Sequence, residues 1–148
     1  MMWIHGTSLH LQHTDRASVL TRSGSGTRIA ASGVDTNWVH FAVPTTVVAS
    51  GSHLAIRSVV LDFETEPGTI VSAVHVYDGP GAIATHDEDI TGNHRFWELD
   101  VPKNPRVSRG IGISVKVGFG PDGGWVDFRA AGAEFITRTD LGVIYIPI

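Results

Sequence analysis

Two segments of the chain carry the side chains best suited to chemistry. Asn37-Trp38-Val39-His40-Phe41-Ala42-Val43 alternates Val39, Phe41 and Val43 with Trp38 and His40. The segment from Val71 to Asp78 repeats the arrangement, with Val74 and Val76 alternating with Ala73, His75 and Tyr77. Successive side chains of a strand point to opposite faces. Each segment therefore has an apolar face and a second face that pairs an imidazole with an aromatic ring two residues away. An imidazole titrates near neutrality and transfers protons, and a phenol donates a hydrogen bond. An indole offers a flat apolar surface on which sugar C–H groups pack. The candidate ligand-binding residues are Trp38, His40, His75, Tyr77 and Lys116, the last on the polar face of a third segment. If the site is catalytic, His40 or His75 is the general base and Tyr77 the donor.

Other chemistries find less support. Eight histidines occur (His5, His10, His13, His40, His53, His75, His86 and His94), but none form an H-x-H or H-x-x-x-H pair. A zinc site without cysteine needs two or three histidines and a carboxylate. Here it would have to be assembled across strands, for example from His40, His75 and Asp62 or Glu64. The expectation is no metal and no cofactor. His86-Asp87-Glu88-Asp89 is the densest group of hard oxygen ligands. It lacks the D-x-[DN]-x-[DN]-G pattern of a calcium loop and reads as a solvated acidic turn, with calcium the alternative. No G-x-S-x-G elbow and no G-x-x-x-x-G-K-[ST] loop is present, which argues against a serine hydrolase of that type and against P-loop chemistry.

These side chains must be positioned by strands. Seventeen glycines and seven prolines punctuate short runs rich in Val, Ile, Phe and Thr, the pattern of a sandwich or barrel. Strands are expected at 3–5, 9–13, 19–21, 27–31, 38–43, 54–65, 69–77, 82–86, 95–101, 111–119, 125–131 and 143–146. Turn signals separate them, among them Ser23-Gly24-Ser25-Gly26, Asp78-Gly79-Pro80-Gly81 and Gly120-Pro121-Asp122-Gly123-Gly124. No segment has a clear helical period, and the best helical candidate is Ala130–Ile136. Ile111, Ile113, Val115, Val117 and Phe119 share one face of the clearest core strand. Its other face holds Gly110, Gly112, Ser114, Lys116, Gly118 and Gly120. So many glycines on one face mark either a bend of the sheet or the close approach of a backbone or ligand. By the same parity Trp97 belongs to the core and Trp125 to the outside.

The expected fold class is all-β: a two-sheet antiparallel β-sandwich of jelly-roll or related Greek-key topology, with little or no helix. Its core should hold Val39, Phe41, Val59, Leu61, Phe63, Val74, Val76, Ile113, Val115 and Val117. At 148 residues, residues 1–148 read as one domain. The apolar tail 141–148 is expected to pack on its own sheet or on a partner subunit. There are no cysteines, which excludes disulfides, thiolate metal sites and a cysteine nucleophile. No signal peptide or apolar span is visible in the sequence, and the expected location is cytoplasmic. The net charge of −4 is uneven, with nine carboxylates against one arginine between residues 58 and 100. Nucleic acid binding wants a basic stripe, so nucleic acid and membrane are not expected partners.

Four blocks together resemble a family of small, uncharacterised, mainly bacterial proteins. They are Met2-Trp3-Ile4-His5-Gly6-Thr7, the Asn37–Thr45 block, Val74-His75-Val76-Tyr77-Asp78-Gly79 and Gly110-Ile111-Gly112-Ile113-Ser114. The resemblance runs from Met2 to about Phe135 and implies a single all-β domain. It carries no settled activity, so no catalytic residue follows from it. Three functional readings stay open. The first is a non-catalytic domain that binds a small molecule or glycan in an aromatic and histidine groove. The second is a cofactor-free cyclase, isomerase or hydrolase with a histidine base. The third is an oligomeric structural or interaction protein. If the groove does not exist, the N-terminal strands cover this face, with Trp38 filling the core and His40 hydrogen-bonded inside.

Overall fold

Alternating apolar and polar residues set the strands of the computed structural model. It describes residues 1–45, 48–49, 52–139 and 142–144, with the side chains of 48, 49, 52, 138, 139 and 142–144 excepted. In chain order the strands are β1 (Met2–His5), β2 (His10–Leu11), β3 (Val19–Ser23), β4 (Gly26–Ala31), β5 (Asp35–Val43), β6 (Val48–Ala49) and β7 (Ser52–Thr65). They continue with β8 (Ile70–Asp78), β9 (Gly81–His86), β10 (Asn93–Asp100), β11 (Ile111–Phe119), β12 (Gly124–Thr139) and β13 (Gly142–Ile144). Two 3-10 turns, Gly6–Ser8 and Thr14–Arg16, are the helical elements among the described residues.

The strands form two antiparallel sheets. The first has the order β10-β7-β12-β4-β3, with β1 and β13 also paired to β12 and β6 paired to β7. The second is β2-β5-β11-β8-β9. The protein is a β-sandwich, and each inner face reads from the sequence parity. Val39, Phe41, Val74, Val76, Ile113, Val115 and Val117 of the second sheet are buried against Val59, Leu61 and Phe63 of the first. Phe128 from β12 joins them, with its ring centroid 5.8 Å from Phe41 and 6.1 Å from Phe63. Burying a side chain of this size contributes roughly 1.5–3 kcal/mol, so this aromatic cluster is a main source of sheet-to-sheet cohesion.

Two strand boundaries are corrected. The strand expected at 125–131 runs on through Ala130–Ile136, the best of the weak helical candidates, to Thr139 as β12, and Ala131 and Ala133 face the core. Its small residues suit a helix in isolation, yet here they pair with β7 on one edge and β1 on the other. The predicted strand 9–13 shortens to two residues. The Asn37 side chain accepts from His13 N–H and donates to the His13 carbonyl, replacing ladder bonds with a side-chain clamp. Of the tail 141–148, Gly142–Ile144 pairs with Thr137–Thr139, and the rest lies outside the described residues.

Candidate functional site

The site is built on β11, the central strand of the second sheet. Odd positions from Ile111 to Phe119 are buried, and even positions face outward half-exposed. The outward positions are thus Gly112, Ser114, Lys116 and Gly118. On one edge β5 places Trp38 opposite Lys116 and His40 opposite Ser114. On the other edge β8 places His75 opposite Ser114 and Tyr77 opposite Gly112. The register brings all five sequence candidates to one face of three adjacent strands. Trp38, His40, His75, Tyr77 and Lys116 are each half-buried.

Strand β2 does not cover this face. It extends the edge of the sheet by pairing His10 with His40 and Leu11 with Val39, while β1 joins the other sheet. The covered alternative is therefore corrected: the N-terminal strands had free edges to pair with, and backbone groups satisfied there need no packing across the face.

Hydrogen bonds fix both imidazoles. His40 Nδ1 lies 2.8 Å from Ser114 Oγ, and His40 Nε2 lies 2.7 Å from Gln12 Oε1. His75 Nε2 lies 2.7 Å from Asp87 Oδ1. The Trp38 ring leans across β11 onto His75, with centroids 5.2 Å apart and planes at 54°. Burial, with the neighbouring His10 second, holds the His40 imidazole below its ordinary value. His40 is accordingly neutral at pH 7.

The glycines of the β11 face have separate causes. A Cβ at Gly118 would lie 3.1 Å from the Ile70 side chain, so that glycine makes room for packing. A Cβ at Gly112 would meet nothing nearer than the Phe41 carbonyl at 3.9 Å. Gly112 therefore leaves open space beside Tyr77.

Sequence reasoning missed three participants. Ser114 was visible only as one of several polar residues on its face. Gln12 and Asp87 come from a neighbouring edge and a loop, and nothing in their local spacing signals contact with a histidine. Asp87 belongs to the acidic turn and here orients His75. Trp97 is half-buried against the core and meets His86 edge-on at 5.1 Å. Trp125 lies on the outer face of the first sheet under the Arg28 guanidinium, 4.1 Å from it. No group of three or more His, Cys, Asp or Glu side chains is arranged to hold a metal among the described residues.

Two concavities lie away from this face. One of about 350 Å³ sits on the first sheet, lined by Thr21, Ser25, Arg28, Asp127 and Arg129 among others. The other, about 300 Å³, lies between residues 15–18 and 31–35. The first is largely spoken for: Arg28 makes a two-pronged pair with Asp127, and Arg129 binds Asp62 and Asn93.

The model of a family of unknown function, DUF6623, matches residues 1–141, and the chain belongs to that family. No curated protein matches it in sequence. Among solved structures it is similar to TmCBM61 in complex with β-1,4-galactotriose, at 14% identity and a TM-score of 0.59, covering 90% of this chain and 91% of that one. It is also similar to CBM86, a low-affinity xylan-binding module from Roseburia intestinalis, at 14% identity and a TM-score of 0.52, covering 90% and 93%. At such identity the likeness is one of fold: both are carbohydrate-binding modules, and the chain shares their β-sandwich.

Proposed function

We propose that this member of DUF6623 binds a glycan, without turnover, on the outer face of β5, β11 and β8. One observation carries the reading. The register of β11 gathers two aromatic rings, two oriented imidazoles and a lysine on a single half-exposed face. Aromatic surface with a few aimed polar groups is how small-ligand sites are built. Trp38 and Tyr77 supply stacking surface, while His40, Ser114, His75 and Lys116 supply hydrogen bonds. The two structural neighbours, one holding β-1,4-galactotriose and one binding xylan, suggest the first probes. A cytoplasmic, homo-oligomeric protein of a mainly bacterial family remains the accompanying expectation.

A second reading keeps the cofactor-free enzyme, because both imidazoles are oriented by a side-chain oxygen, as a general base must be. Against it, β11 is paired along both edges. Its N–H groups near Ser114 are spent in the ladders and cannot stabilise an oxyanion there.

Isothermal titration calorimetry with β-1,4-galactotriose and xylotriose tests the proposal. Trp38→Ala or Tyr77→Ala should abolish binding while the melting temperature stays nearly unchanged. Binding that survives both substitutions refutes this site. Release of product from the same oligosaccharides, lost in His40→Ala or His75→Ala while binding persists, selects the enzyme instead.

A further inference from the structure

We infer that Ser114 Oγ and His75 Nδ1 form a pair of hydrogen-bond acceptors at the centre of this face, which reads adjacent hydroxyl donors of a sugar and discriminates against a sugar that lacks them. The inference rests on the glycan reading and adds its chemical class.

The polarity follows along a chain of hydrogen bonds. Gln12 Nε2 is a donor and lies 3.3 Å from His13 Nε2, which leaves Gln12 Oε1, an acceptor only, facing His40 Nε2 at 2.7 Å. His40 Nε2 must therefore carry the hydrogen. In the neutral ring the other nitrogen is then bare. His40 Nδ1 accepts, and the Ser114 hydroxyl at 2.8 Å donates to it. That hydrogen is committed, so Ser114 Oγ turns lone pairs to the ligand. On the other side of β11, Asp87 Oδ1 in the turn after β9 can only accept, so His75 Nε2–H donates to it at 2.7 Å. This leaves His75 Nδ1 bare in the neutral ring.

Ser114 and His75 are direct cross-strand partners, close enough for one sugar unit to reach both. A sugar deoxygenated at these positions has no hydrogen to give either atom, and a polar atom desolvated without a partner is penalised. Lys116, in the next row, is a donor suited to a ring or glycosidic oxygen of the same ligand. The aromatic contact of Trp38 holds the His75 ring in place.

The test has two arms. Nitrogen-15 NMR of the imidazoles in the ligand-free protein at pH 7.5 should show the Nε2–H tautomer for both His40 and His75. Calorimetry should then show β-1,4-galactotriose binding at least roughly tenfold more tightly than the same triose deoxygenated at C2 and C3, and Ser114→Ala should erase most of that preference. An Nδ1–H tautomer at either histidine, with triose binding retained, overturns the acceptor pair and leaves the glycan reading standing. Equal or tighter binding of the deoxygenated triose overturns the selectivity. If neither triose nor xylotriose binds while both tautomers are as expected, the glycan reading fails and the choice of ligand falls with it.

Discussion

Trp38 and His75 lie on strands that do not touch, yet their rings meet with centroids 5.2 Å apart. Strand β11 runs between them. The contact forms because β11 offers the small Ser114 opposite His75, and β8 offers Ala73 on the far side of Lys116. A large residue at either point would block the indole. The ring contact thus spans three strands on their outer face.

The open space at Gly112 gives a way to close the site without disturbing the core. Gly112→Val should shift stability by about 0.5 kcal/mol or less, as an outward change on a strand face, and should abolish oligosaccharide binding beside Tyr77. Gly132→Ala is the contrasting control. Its Cβ would lie 2.7 Å from the Met2 carbonyl, so it should destabilise the protein by displacing β1. Thermal melts and calorimetry on both variants check this.

Val115 is fully buried at the centre of β11. Val115→Ala should cost about 1–3 kcal/mol through lost burial and a cavity. Urea unfolding that shows no change would mean that the faces of β11 are reversed.

Protonation couples to stability through His40. Its folded value lies below the ordinary one of 6.5, so the unfolded chain binds more protons between the two. The stabilisation is complete above pH 6.5 and declines as pH falls from there through the folded value. Replacing His40 by Gln should flatten the melting temperature in that window. A slope unchanged by the substitution would contradict the assignment.

Asp78 closes β8 onto the loop before β11. Burial raises its pKa, but N–H donors from Ser108, Arg109 and Gly110 and the Ser108 hydroxyl outweigh that and leave it lowered. Asp78→Ala should cost about 1–3 kcal/mol. In the parent, this contribution is present above the ordinary carboxylate range and is lost as pH falls through the folded value. Denaturation of both proteins at pH 7 and pH 3 should show a smaller difference at pH 3 than at pH 7.

The sequence made some of this legible. Strict alternation in Ile111–Phe119, Trp38–Val43 and Val74–Tyr77 revealed which residues face inward, because a strand leaves only two choices. It also put Trp38 with His40 and His75 with Tyr77. It did not reveal that β11 stands between them, since strand order and register are long-range properties with no local spacing. Gln12 and Asp87 stayed hidden for the same reason. The alanines of β12 hid the far end of that strand, because their small side chains carry no period and pairing on both edges is what extends it.

The most direct measurement of the central claim is a nitrogen-15 HSQC titration of the protein with β-1,4-galactotriose and xylotriose. Saturable shifts are expected at the amides of Gly112, Ser114 and Lys116 and at the Trp38 indole N–H. Shifts confined to the first sheet, around Arg28 and Asp127, or no shifts with either sugar, would contradict it.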